Sequence, residues 1–94
     1  MPNYQAIGEF AVEKSSEYER AVKVHSELVH QRYELDKAIQ KAELKHDTEL
    51  LGELYKQFRI LKQDQQANRE YRQKFCDDFL FQIAQMAKET NNEE

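Results

Sequence analysis

Residues 74–83 read KFCDDFLFQI and gather the chain's best chemical candidates: its only cysteine, two adjacent acids and three of its five Phe. A reactive Cys76 needs a nearby cation or a helix N-terminus to favour its thiolate. It has Asp77 and Asp78 instead, which oppose that charge, so a small buried apolar role is expected. The two Asp point about 100° apart on a helix and do not form an acid/base couple by themselves. Two Glu-x-x-His pairs, Glu27–His30 and Glu43–His46, match the spacing used in di-iron bundles. Such sites draw those pairs from separate helices. Here both fall on one predicted helix, about 24 Å apart, so neither is read as a metal site. No phosphate loop, nucleophile elbow or C-x-x-C pair is present. The sequence therefore points to a non-enzymatic protein, with no cofactor and no metal.

Composition identifies the elements that carry these residues. The 94 residues include only two Gly and one Pro, 34% are charged, and Glu, Lys, Gln, Ala and Leu are plentiful. Long helices in a single domain follow. A chain this small buries little on its own, which favours partners or self-association. The N-terminal MPNYQAIGEF lacks a basic, apolar leader, and no run approaches the roughly 18 apolar residues of a membrane span. The expectation is a cytoplasmic protein without membrane contact.

Apolar residues recur at helical spacing from Ile7 through Phe10, Ala11, Tyr18, Ala21, Val22, His25, Leu28, Val29, Leu35, Ile39 and Ala42. Lys14 and Arg32 interrupt this stripe, and their stems can lie along it with the charges in water. A second stripe runs Leu50, Leu51, Leu54, Phe58, Leu61, Phe75, Phe79, Ile83, Met86. Between them, Lys37, Lys41 and Lys45 suit a helix C-terminus, while Asp47 and Glu49 suit the start of the next helix. The sequence thus predicts an all-α, coiled-coil-like antiparallel hairpin: first arm 4–45, turn 45–47, second arm 47–89 and a frayed acidic tail 90–94. Dimerisation would complete a four-helix bundle. Ser16 and Glu19 have capping-box spacing, but with no Gly or Pro beside them an unbroken first arm is expected.

Folding at the turn sets Leu35 opposite Phe58, Tyr18 opposite Phe75 and Phe10 opposite Ile83. His25 and Leu28 meet Asn68 and Gln65, making His25, Asn68 and Gln65 candidates for setting register at a cost in stability. Charge is uneven: residues 1–19 carry −3, residues 20–58 zero, residues 59–74 +3 and residues 75–94 −4. The bases at 59–74 alternate with acids and do not share one face, so nucleic acid is not the expected partner. Within KFCDDFLFQI, Phe75 and Phe79 join the stripe, Cys76 and Leu80 lie about 100° to one side, and Phe81 lies about 200° from Phe79. A segment apolar on all sides must be covered on all sides. Phe81, Leu80, Cys76, Tyr4, Asp77 and Asp78 are therefore the candidate partner-binding residues, an aromatic patch inside an acidic rim.

The segments SSEYERAV and NREYRQKFCDD, in a short, Gly-poor, acidic chain, resemble small early proteins of lambdoid temperate phages. Some of these modulate the host RecBCD nuclease. The resemblance implies an accessory protein that modulates a host enzyme, and it assigns no functional residue. Two other readings stay open: a structural coiled-coil adaptor or assembly chaperone, and a nucleic-acid accessory acting through residues 59–74.

Overall fold

The structure, a computed structural model, describes residues 4–92 and the side chains of residues 4–89. The chain is an all-α helical hairpin made of α1, Tyr4–Leu44, and α2, Thr48–Asn92. α1 runs unbroken through Ser16, whose hydroxyl donates to the carbonyl of Val12 one turn back, at 3.3 Å, instead of capping a new helix. α2 extends to Asn92, and Glu93 and Glu94 of the expected tail lie outside the described residues. No helix among the described residues is long and apolar enough to cross a membrane. The molecule divides into two compact units, a turn unit of residues 23–69 and a terminal unit of residues 1–22 with 70–94.

Three residues reverse the chain. The N–H of Asp47 donates to the carbonyl of Ala42 at 3.1 Å, and that of His46 to Glu43 at 3.2 Å. These two bonds form a Schellman closure of α1. The residue in the left-handed position is His46, with φ 54°, where Gly is usual. Asp47 then opens α2. Its carbonyl accepts from the N–H of Leu51 at 2.9 Å, and its Oδ1 accepts from that of Leu50 at 3.1 Å. Orphan groups of both helix ends are thus satisfied without a longer loop.

In the turn unit, Ile39, Ala42 and Leu54 form a buried cluster, with Leu35, Ala38, Leu51 and Phe58 packed against it. Leu28 and Leu61 are also buried. Leu28, Leu35 and Ala42 stand seven residues apart, as do Leu54 and Leu61, which is the repeat of a coiled-coil seam. Val22, Val29 and Leu50, which the sequence places on the stripes, are 39–47% exposed. Each has a neighbour about 100° round the helix that takes the seam position: Ala21, Leu28 and Leu51. Arg32 behaves as its long stem suggests. Its guanidinium lies 5.3 Å from the Phe58 ring centre and donates to Gln65 Oε1 at 3.3 Å. Lys62 lies over the same ring at 5.9 Å.

Near the turn, the Tyr55 hydroxyl donates to Glu43 Oε1 at 2.9 Å. The hydrogen bond to this carboxylate, and its negative charge, hold the Tyr55 phenol above its ordinary pKa of 10.0. A raised pKa in the folded state adds stability that is present below pH 10.0 and is lost as pH rises through the folded value. Glu43→Gln should therefore bring the tyrosinate absorbance transition of Tyr55 down toward its ordinary pH, with Tyr55→Phe identifying the signal. At the turn itself, Asp47→Ala should cost about 1 kcal/mol, and His46→Gly should stabilise by up to about 1 kcal/mol. Urea unfolding of the two variants checks both signs.

Candidate protein-binding site

The terminal unit is built on aromatic rings. Phe10 stacks on Phe79 with ring centres 5.8 Å apart and planes 2° from parallel. Tyr18 meets Phe75 at 5.7 Å, as the turn position predicts, and Tyr71 reaches the same ring at 6.2 Å. Phe10 was expected opposite Ile83, one turn further along α2. Two flat rings spanning the diagonal gain a stacking contact that an Ile cannot offer. Lys14 extends from the seam with its Nζ 5.7 Å from the Phe10 ring centre and 3.5 Å from Glu17 Oε2. Among the described apolar residues of this unit only Ala21 is buried, whereas Phe10, Tyr18, Phe75, Phe79, Ile83 and Met86 are half-buried.

The two sides of this unit differ. On one side an open groove of about 380 Å³ runs between the helices, walled by Ala11, Ser15 and Tyr18 from α1 and by Phe75, Cys76, Phe79 and Leu80 from α2. Its single charged wall residue is Lys14. On the other side a groove of about 330 Å³ is lined by Lys14, Glu17, Lys74, Asp78 and Gln82 beside the rings of Tyr71, Phe75 and Phe79. One side therefore offers apolar surface and the other mixed charge.

The candidate residues separate accordingly. Leu80, 64% exposed, and Cys76 form the α2 wall of the apolar groove. Cys76 is a free, exposed thiol and not the buried apolar residue its sequence context suggested, because its position about 60° off the seam clears α1. Phe81 is 65% exposed on the outer face of α2. Asp77 and Asp78 precede it by four and three residues, so they flank it on that face, and both are exposed. Tyr4 is 74% exposed. Asp78 also lines the charged groove, while the groove holding Leu80 and Cys76 has no acidic wall residue. Of the small residues of α1 that shape the groove, Ala11 belongs to the expected stripe and Ser15 does not. The signal for Ser15 is its place one turn after Ala11, at helical spacing.

In the turn unit, His25, Gln65 and Asn68 are all half-buried, and Gln65 is held by Arg32. Among the described residues no group of three or more His, Cys, Asp or Glu is placed to hold a metal ion. Comparison with family models, curated proteins and solved structures gave no match for this chain.

The ring stack is the part of this unit most open to measurement. Phe79→Ala should destabilise by about 2 kcal/mol, less than the ~3–5 kcal/mol of a fully buried Phe because the ring is half-exposed. A double-mutant cycle with Phe10→Ala should give a coupling of about 0.5–1.5 kcal/mol. A coupling near zero would show that the rings do not act as a pair.

Proposed function

We propose that this hairpin is a non-enzymatic binding protein that self-associates and engages a foreign protein through the outer face of α2. The observation that carries this is Phe81: a large aromatic side chain, 65% exposed, flanked on its own face by Asp77 and Asp78. Intrachain packing gives no reason for an aromatic residue there. Exposed aromatic anchors supply affinity when they enter a desolvated pocket, and flanking charges steer the approach. The fitting partner presents an apolar pocket bordered by Lys or Arg. Resemblance to phage accessory proteins makes a host recombination nuclease the first partner to try. The coiled-coil adaptor reading draws its support from the seven-residue seam on which the two helices of the turn unit pack.

Phe81→Ala should leave helicity and melting temperature nearly unchanged, since the ring touches little in its own chain. It should weaken partner binding by about 2 kcal/mol or more. Asp77→Asn with Asp78→Asn should mainly slow association and reduce its salt dependence. Pull-downs from nuclease-treated bacterial lysate, followed by binding kinetics with the captured protein, test all three variants. Loss of folding in Phe81→Ala, equal to that in Phe79→Ala, would make Phe81 a core residue and remove the basis for this site.

A further inference from the structure

We infer that the terminal unit opens as one body while the core of the turn unit stays folded. The opening runs inward through a polar stretch of the seam and stops at Leu28 and Leu61. In the open state the rings of Phe10, Tyr18, Phe75 and Phe79 pass from half-buried to exposed. The inference does not depend on the Phe81 site.

The first observation is the division of the core. Residues 23–69 form one compact unit, and residues 1–22 with 70–94 form another. In the turn unit Leu28, Ile39, Ala42, Leu54 and Leu61 are buried. In the terminal unit Ala21 alone is buried among the described apolar residues. Stabilisation follows the apolar area removed from water, so the terminal unit is the weaker of the two.

The second is the way the rings share partners. Phe75 meets both Tyr18 and Tyr71, at 5.7 Å and 6.2 Å. One turn further along α2, Phe79 lies flat against Phe10. Parting the arms breaks these contacts together. Helices in proteins draw most of their stability from packing, so the parted segments lose helix as well as contact. The terminal unit therefore opens in one step.

The third is the seam. From Leu61 to Phe75, about 21 Å of helix, the half-buried positions of α2 are Gln65, Asn68 and Arg72. The two apolar residues of that interval, Ala67 and Tyr71, are exposed. On α1 the half-buried position between Ala21 and Leu28 is His25, while Val22 and Val24 are exposed. Polar residues at seam positions lower stability. A polar contact given up to water costs little, because water replaces the partner. The bond from Arg32 to Gln65, exposed to solvent, is of this kind. An opening that has passed the rings thus meets no further resistance until the first buried leucines, Leu28 and Leu61.

A urea titration of the full chain, followed residue by residue in amide NMR spectra, tests this. Signals of residues 7–27 and 62–86 should share one midpoint, and those of residues 28–61 a second at higher urea. Ile39→Val, a mild change in the turn core, should lower the second midpoint and leave the first in place. His25→Leu, Gln65→Leu and Asn68→Leu together should move residues 23–27 and 62–69 to the upper midpoint. One midpoint for the whole chain, or midpoints that rise steadily from the ends toward the turn, would overturn the inference. So would an equal drop of both midpoints in Ile39→Val. Residues 23–27 and 62–69 that keep the lower midpoint in the triple variant would show that the polar stretch does not set the stop, and would overturn it too.

Discussion

Asp47 serves two helices at once. Its N–H closes α1 on Ala42, while its carbonyl and carboxylate open α2 on Leu51 and Leu50. A shorter connection would leave helix-end groups without partners, and a longer one would loosen the alignment of the arms. Ala42, the most buried apolar residue among those described at 1% exposure, sits where the arms come together beneath this turn. From there the packing of the turn unit follows: Ile39 and Ala42 with Leu54, Leu35 and Phe58 against that cluster, then Arg32 with Gln65.

Much of this was written plainly in the chain. The sign change between Lys45 and Asp47 marks a helix stop and a helix start, since cations favour one end of a helix dipole and anions the other. The Tyr18–Phe75 contact follows from counting outward from the turn. What could not be read was which of two adjacent apolar residues takes the seam. Val22, Val29 and Leu50 are as apolar as their neighbours, and only the angle at which the helices meet decides between them. The stacking of Phe10 on Phe79 was hidden for a similar reason, because counting gives the layer and not the diagonal.

The exposed apolar surface of the terminal unit was legible in type but not in layout. An aromatic segment apolar on all sides announces that something must cover it. The sequence could not show that Leu80 and Phe81, adjacent in the chain, would belong to different surfaces. Nor could it show that a small-residue wall of α1 would complete one of them while two acids accompany the other.

The brevity of the turn also orders events in time. Glu43 and Tyr55 are twelve residues apart in the chain, whereas Phe10 and Phe79 close a far larger loop. Forming the distant contact first costs about 1.5 kcal/mol more chain entropy than forming the near one. Folding therefore starts beside the turn and proceeds outward, and the aromatic end is the last to assemble and the first to open. Its amides should be the quicker to exchange with solvent, and a ligand gripping that end would slow unfolding of the whole chain by holding shut the part that opens first.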